Sequence, residues 1–240
     1  MLVLAVLLTA SSIIPQLAPQ APQQHSAVRA EPRPDDWWQA RQASMNQRVK
    51  QGDVGLLFIG DSITQGWEGD GKEVWAKHYA ARKAVNLGIS GDRTQHVLWR
   101  LDHGNVDGIK PRAAVVMIGT NNSNGADNTA AEIADGIGAI VKKLREKLPE
   151  TKVLVLAIFP RGERPNPQRD KLTEVNRLVA RLADQKAVFF RDIGAQFLAA
   201  DQSLQKEIMP DYLHLSPKGY AIWAEAIEAD LAALLGEKRS

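Results

Sequence analysis

The chain has 240 residues, of which 44% are hydrophobic and 24% are charged, a composition typical of a folded globular protein. Thirty Lys and Arg residues against 28 Asp and Glu residues leave a formal net charge of +2. The basic residues form no run of the kind that binds nucleic acid, so we expect no nucleic-acid partner. Cysteine is absent, which excludes disulfides, cysteine nucleophiles, thiolate metal sites and a lipid-modified N-terminal cysteine.

An apolar segment runs from Leu2 to Ile14 and is shorter than the about 20 residues that a membrane-spanning helix needs. It predicts an export signal, with residues 27–30 as one candidate cleavage site, although no Lys or Arg precedes the apolar core. A misassigned start codon and a membrane-tethering stub are the alternatives. We expect residues 1–30 to hold the signal and a Pro- and Gln-rich linker, unpacked as far as residue 35. The mature protein is then exported, periplasmic or extracellular, without a membrane span; without a signal it is cytoplasmic.

From Asp36 onwards the sequence alternates between predicted helices and short apolar strands. A helix capped by Asp36 carries Trp37, Trp38 and Met45. The pattern then predicts strands at 54–59, 84–87, 113–118, 153–159 and 187–190, with helices at 95–101, 130–148, 169–183 and 217–235. Continuous apolar strands that alternate with helices indicate a parallel sheet covered on both faces. We therefore predict one α/β domain over residues 35–237, with about five strands.

Polar or glycine-rich motifs follow three of these strands, and a fourth precedes the last helix. They occupy residues 60–64, 88–92, 119–122 and 211–214. Functional groups of such sheets collect beyond the carboxyl ends of the strands, so we expect the four motifs to converge at one edge.

Ser62 is the candidate nucleophile, because it follows the first strand and a glycine on a tight turn into a helix. There its own backbone N–H can face a developing oxyanion. The alternative is a helix N-cap, a common role of serine at such positions. The surrounding residues match neither a phosphate-binding P-loop nor the Gly-x-Ser-x-Gly elbow of α/β-hydrolases.

His214 is the candidate base among the five histidines. It stands three residues after Asp211, so one short loop supplies an imidazole and a carboxylate that can fix its tautomer. The alternative is that these two residues only cap the last helix or one another. Gly91 and Asn121 are candidate oxyanion donors, through a backbone N–H and a side-chain amide, although each motif taken alone is an ordinary turn.

These motifs resemble the sequence blocks of the SGNH (GDSL-like) hydrolases. Residues 58–64 are similar to the first block, 86–92 to the second, 119–121 to the third and 211–214 to the last. Ile63 stands where many relatives have Leu. In motif detail, residues 91–101 and 159–167 are similar to the catalytic subunits of intracellular platelet-activating factor acetylhydrolase, and the likeness runs from residue 38 to residue 235.

The resemblance implies a flavodoxin-like, three-layer α/β/α sandwich and a serine esterase that needs no metal and no organic cofactor. It assigns Ser62 as nucleophile, His214 as base and Asp211 as the residue that orients it. The oxyanion hole that it implies consists of the backbone N–H groups of Ser62 and Gly91 and the side chain of Asn121. A small acyl ester, such as an acetylated sugar or lipid, is the expected substrate, and a homodimer is expected by analogy only.

An acyltransferase that uses the same residues and a non-catalytic binding module are the alternative functions, although the intact set of motifs argues against the second. Asp61 and Asp92 are expected to cap their turns. Arg161 and Arg164 are expected on a solvated loop, with anion binding as the alternative. Helix-borne aromatic side chains usually pack in the core, so we assign no tryptophan to a substrate pocket.

Overall fold

The computed structural model describes residues 24–237, so the predicted export signal at Leu2 to Ile14 lies outside the described residues. A five-stranded sheet has the order β2-β1-β3-β4-β5, and every neighbouring pair is parallel. The strands are β1 Leu56–Gly60, β2 Ala84–Gly88, β3 Ala113–Met117, β4 Lys152–Leu156 and β5 Val188–Arg191. The predicted α/β class and parallel sheet are confirmed.

Seven α-helices surround the sheet within the described residues. They are α1 Asp36–Lys50, α2 Ser62–Gln65, α3 Lys72–His78, α4 Thr94–Asp102, α5 Ala130–Lys147, α6 Pro167–Val179 and α7 Pro217–Leu235. The sequence did not predict α3, which is seven residues long and follows a glycine-rich turn. Within residues 24–237, no helix combines the length and the apolar character needed to cross a membrane.

Two apolar layers, one on each face of the sheet, make the α/β/α sandwich. Alternate residues of a strand point to opposite faces, and β1 shows this clearly. Leu57 and Ile59 pack with helices α1, α4, α5 and α6, while Leu56 and Phe58 pack with α7 and the turns after β1. All five residues of β1 are buried, as expected for a central strand of a parallel sheet.

The sheet order places a topological switch point at β1. The chain crosses from β1 to β2 in one direction and then back over β1 to β3, so the loops after these strands separate on either side. In open parallel sheets this opening, beyond the carboxyl ends of the strands, is where ligands bind. Ser62 begins helix α2, two positions after β1 ends.

Residues 24–34, expected as part of an unpacked linker, lie against the domain. Ala27 is fully buried, and its carbonyl accepts a hydrogen bond of 2.7 Å from the hydroxyl of Thr94. A Cβ atom on Gly136 of α5 would lie 2.7 Å from the same carbonyl, so the absence of a side chain there permits the close approach. The packed part of the chain therefore begins before Asp35.

Candidate active site

A tight turn after β1 presents Ser62. Asp61, not Ser62, is the N-cap of α2, because its Oδ1 atom accepts the backbone N–H of Ile63 at 3.0 Å. Gly60 makes the turn possible, since a Cβ atom there would lie 2.1 Å from Oγ1 of Thr64. The side chain of Ser62 is thus not used as the helix cap and is available to its neighbours.

His214 and Asp211 lie on the loop before α7 and reach Ser62. The Nε2 atom of His214 is 2.9 Å from the Oγ atom of Ser62, and its Nδ1 atom is 2.6 Å from Oδ2 of Asp211. The other oxygen of Asp211 accepts the backbone N–H groups of Leu213 and His214 at 3.0 and 2.7 Å. This short turn puts Tyr212 in the left-handed region, with a φ of 60°. The three predicted side chains therefore form one continuous hydrogen-bonded series.

The carboxylate of Asp211 is held in its ionised form. Partial burial works against ionisation, but the hydrogen bonds from the side chain and backbone of His214 outweigh it, and the pKa of Asp211 falls below its ordinary value. A carboxylate accepts hydrogen bonds only, so the contact with Asp211 favours the tautomer of His214 with N–H at Nδ1 and the lone pair of Nε2 facing Ser62.

Gly91 and Asn121, the other predicted site residues, lie on the loops after β2 and β3. Gly91 has a φ of +76°, a conformation that a residue without a side chain adopts readily. The Asn121 amide donates to the backbone carbonyl of Asp92 at 2.9 Å, which uses one of its two N–H bonds. No hydrogen bond within residues 24–237 engages the backbone N–H of Ser62 or of Gly91, so both remain available as donors.

Asp92 does not cap its turn, contrary to expectation. Its carboxylate is buried and accepts the indole N–H of Trp38 at 2.7 Å and the Nε–H of Arg100 at 2.8 Å. Burial raises the pKa of Asp92, although the charge of Arg100 opposes the effect. The buried pair of Asp92 and Arg100 fixes the loop after β2. The backbone carbonyl of Asp92 in this loop accepts the hydrogen bond from the Asn121 amide. Sequence reasoning missed this role because Trp38 is 54 residues away along the chain.

The loops after β2 and β3 are also joined by Asn122. Its Oδ1 atom accepts the backbone N–H of Thr94 at 3.0 Å, and its Nδ2 atom donates to the Thr94 hydroxyl at 3.1 Å. Both residues are buried. Reciprocal bonds of this kind hold the Asn121 backbone at a fixed distance from the start of α4.

Asp61 is an unusual buried carboxyl group beside the candidate nucleophile. One of its oxygens bonds to the Ile63 N–H, and the other has no partner among the described residues. Complete burial raises the pKa of Asp61 to about 7, against the lowering effect of the Ile63 hydrogen bond. The nearby charge of Asp92 raises the pKa further, while His214 and Arg161 lower it.

Arg161 is half-buried and bound to the third motif, not solvated as the sequence suggested. Its Nη1 atom donates to the carbonyl of Thr120 at 3.2 Å and to Oδ1 of Asn124 at 3.1 Å. These contacts tie the loop after β4 to the turn that carries Asn121. Arg164, by contrast, is exposed and lies 3.9 Å from Asp201, as expected for a solvated loop residue.

A cavity of about 420 Å³ opens beside Ser62. It is lined by Ser62, Gln65, Gly66, Glu68, Gly69 and Ser90. Arg33 borders this region from the N-terminal segment, because its Nη1 atom donates to the carbonyl of Ser90 at 2.8 Å. Arg33 and Ser90 are 57 positions apart in the sequence, so no local pattern predicted this contact. Within residues 24–237, no group of three or more His, Asp and Glu side chains is arranged to hold a metal ion.

Known proteins are similar to this chain in sequence and in fold. Residues 58–222 match the family model of GDSL-like lipases and acylhydrolases. Platelet-activating factor acetylhydrolase IB subunit alpha2 of Rattus norvegicus is 38% identical over 204 residues, which cover 85% of this chain and 87% of that protein. Subunit alpha1 of Homo sapiens is 41% identical over 183 residues, or 76% and 77% of the two chains. The crystal structure of a carbohydrate acetylesterase from Sinorhizobium meliloti has the same fold, with a TM-score of 0.59, 23% identity and coverage of 76% of this chain and 100% of the other.

Proposed function

The chain belongs to the GDSL-like lipase/acylhydrolase family and is an enzyme that hydrolyses carboxylic esters, and we propose that it cleaves small acyl esters, acetyl esters above all, with Ser62 as nucleophile. The alcohol portion of the substrate is a carbohydrate or a lipid. The observation that carries the proposal is the hydrogen-bonded series of Ser62, His214 and Asp211 at the end of β1. A nucleophile, a base and an orienting carboxylate in this geometry are the arrangement that activates a hydroxyl group.

The reaction runs in two steps. The Oγ atom of Ser62 attacks the ester carbonyl while His214 Nε2 takes its proton, and the tetrahedral oxyanion forms facing the N–H groups of Ser62, Gly91 and the Asn121 side chain. The C–O bond to the alcohol then breaks, and His214 returns the proton to the leaving oxygen. Water repeats the sequence on the acyl-enzyme, releases the carboxylic acid and restores Ser62.

Two facts about relatives support a small acyl group. The rat and human relatives are named for acetyl hydrolysis, and the Sinorhizobium structure is that of a carbohydrate acetylesterase. The alcohol portions that these names imply differ in kind, which is why the proposal keeps both a carbohydrate and a lipid.

The test compares hydrolysis of p-nitrophenyl acetate, butyrate and octanoate by wild type and by Ser62→Ala. We expect the acetate to be preferred and turnover to fall by at least about 10³-fold in the variant, because the hydroxyl is the attacking group. Ser90→Ala is the matched control, since Ser90 lines the same cavity but makes no hydrogen bond with His214 among the described residues. Equal rates for wild type and Ser62→Ala would overturn the proposal. Product analysis with an added sugar acceptor separates hydrolysis from acyl transfer.

We also propose that the enzyme is exported, on the strength of the apolar segment from Leu2 to Ile14. Ser26–Val28 forms a short 3-10 helix that packs on the domain, so cleavage after residue 30 would remove the buried Ala27. We therefore favour cleavage upstream of residue 26. N-terminal sequencing of protein recovered outside the cytoplasm tests this, and an intact N-terminus found only in the cytoplasm contradicts it.

A further inference from the structure

The indole of Trp37 is exposed, and Arg33 connects it to the loop that carries Ser90 and Gly91. Trp37 is the second residue of α1, and 48% of its surface is accessible to solvent. Among residues 24–237 it is the only large hydrophobic side chain that is exposed to this degree. The exposed part of the indole offers a flat apolar area that a ligand can cover.

Arg33 fixes the position of this indole relative to the loop after β2, which carries Ser90 and Gly91. The guanidinium carbon of Arg33 lies 4.9 Å from the centre of the Trp37 ring, while its Nη1 atom donates to the carbonyl of Ser90. Asp35 accepts the Nε–H of Arg33 at 3.2 Å, and the Gln39 amide donates to the Arg33 carbonyl at 2.6 Å. One side chain thus joins Trp37 to the residue before Gly91.

The cavity beside Ser62 has several polar side chains in its lining. Gln65, Glu68 and Ser90 line it, and the Oε1 atom of Gln65 accepts the Ser90 N–H at 2.7 Å. The carboxylate of Glu68 is held by Arg41 through two hydrogen bonds of 2.9 and 3.0 Å. Arg33 links the flat ring of Trp37 to Ser90 at the edge of this cavity. This arrangement suits a sugar, whose C–H face stacks on a ring while its hydroxyl groups form hydrogen bonds.

We propose that Trp37 is a stacking platform for a sugar ring in the alcohol portion of the substrate, which makes the enzyme an esterase of acetylated saccharides. This inference rests on the function proposed above and narrows its substrate class. The ring that carries the ester occupies the cavity beside Ser62, and Trp37 receives that ring or the next one along the chain.

A lipid surface is less consistent with the same observations. Binding to lipid requires several apolar side chains exposed together, because its strength scales with the apolar area that is buried. Among the described residues, Trp37 is the only large hydrophobic side chain that is exposed. Its neighbours Arg33, Asp35 and Asp36 are charged. The surface around Trp37 is therefore better suited to a polar ligand with one apolar face.

The test uses Trp37→Phe and Trp37→Leu as a matched pair, with Trp37→Ala as the full truncation. Phe keeps a flat ring, whereas Leu keeps apolar area without one. The substrates are glucose pentaacetate, an acetylated glucotriose and methyl acetate, whose alcohol is too short to reach Trp37. The measured quantity is the kcat/KM ratio of each saccharide to methyl acetate, followed by acid release.

We expect Trp37→Ala and Trp37→Leu to lower this ratio by about 5- to 100-fold, mainly through KM, and Trp37→Phe to lower it much less, as is typical of stacking contacts. Equal loss on methyl acetate would mean that the substitution disturbs the Ser90–Gly91 turn, and an unchanged ratio would mean that Trp37 contacts no sugar; either result overturns the inference. A different result is that Trp37→Ala loses only activity on p-nitrophenyl octanoate or only binding to phosphatidylcholine vesicles, while Trp37→Leu and Trp37→Phe behave alike. That result would overturn the inference and assign Trp37 to lipid binding.

Failure of this inference and failure of the proposed function give different results. If wild type hydrolyses p-nitrophenyl acetate in a Ser62-dependent manner but does not act on either saccharide, the sugar platform is wrong and the serine esterase stands. If ester turnover does not depend on Ser62, the proposed function itself is wrong.

Discussion

The side-chain amide of Asn121 donates a hydrogen bond of 2.9 Å to the backbone carbonyl of Asp92. This bond joins the loop after β3 to the loop after β2 and leaves the amide with one N–H bond to offer a substrate. The carbonyl of Asp92 is itself fixed, because the carboxylate of the same residue is bound by Trp38 and Arg100. The orientation of the Asn121 amide is thus determined by buried groups before any ester arrives, which is what an oxyanion donor requires.

We therefore expect Asn121→Ala to lower kcat for p-nitrophenyl acetate by about 10²–10³-fold with a small change in KM, because the lost N–H acts on charge that develops in the transition state. Asn121→Asp should lose at least as much, since it replaces the donor with a negative charge. Steady-state kinetics of both variants, beside thermal unfolding, check this. A rise in KM at unchanged kcat would assign Asn121 to ground-state binding.

The buried carboxyl of Asp61 makes stability depend on pH. Burial raises its pKa to about 7 in the folded state, so folded protein retains a proton that the unfolded chain releases near pH 4. Stability contributed by this group is complete below about pH 4 and is lost as the pH rises to about 7. We expect Asp61→Asn, which keeps the Oδ1 acceptor for Ile63, to match wild type at pH 4 and to exceed it by up to about 4 kcal/mol above pH 7.

Urea unfolding of wild type and Asp61→Asn between pH 4 and pH 8 measures this difference directly. Every other titrating group is present in both proteins, so the difference between their free energies of unfolding reports on Asp61 alone. A constant difference in the free energy of unfolding over this range would show that folding does not raise the pKa of Asp61.

The ion pair of Arg100 with Asp92 is buried on both sides, so removing one partner leaves an uncompensated charge. We expect Arg100→Met to lower the free energy of unfolding by about 3–5 kcal/mol at pH 7. Arg191→Met is the matched control: Arg191 pairs with Asp230 on the surface, and loss of such a pair costs about 1 kcal/mol or less. Urea unfolding measures both variants. Similar losses in the free energy of unfolding would show that burial does not make the Arg100–Asp92 pair more important than the surface pair.

The sequence was sufficient to predict the sheet and the proximity of the candidate site residues, because both depend on local patterns. Each strand is a short apolar run, and Ser62, Gly91 and Asn121 follow strand ends whose positions those runs define. Parallel packing then brings the strand ends together. Helix α3 was missed because seven residues after a glycine-rich turn show too little periodicity.

Contacts between distant segments were not predictable from one sequence. Trp38 meets Asp92 across 54 positions, Arg161 meets Thr120 across 41, and Arg33 meets Ser90 across 57. Each of these side chains also suits an ordinary solvated or core role at its own place in the sequence. Only the three-dimensional arrangement shows that they determine the shape of the site.

The reciprocal bonds between Asn122 and Thr94 have a consequence for protein engineering. Because the loops after β2 and β3 satisfy one another's buried polar groups, replacing one loop with that of a distant relative would leave donors and acceptors on the other without partners. Chimeras that change substrate preference should therefore transplant residues 88–94 and 119–124 as one unit, although 24 residues of sequence separate them.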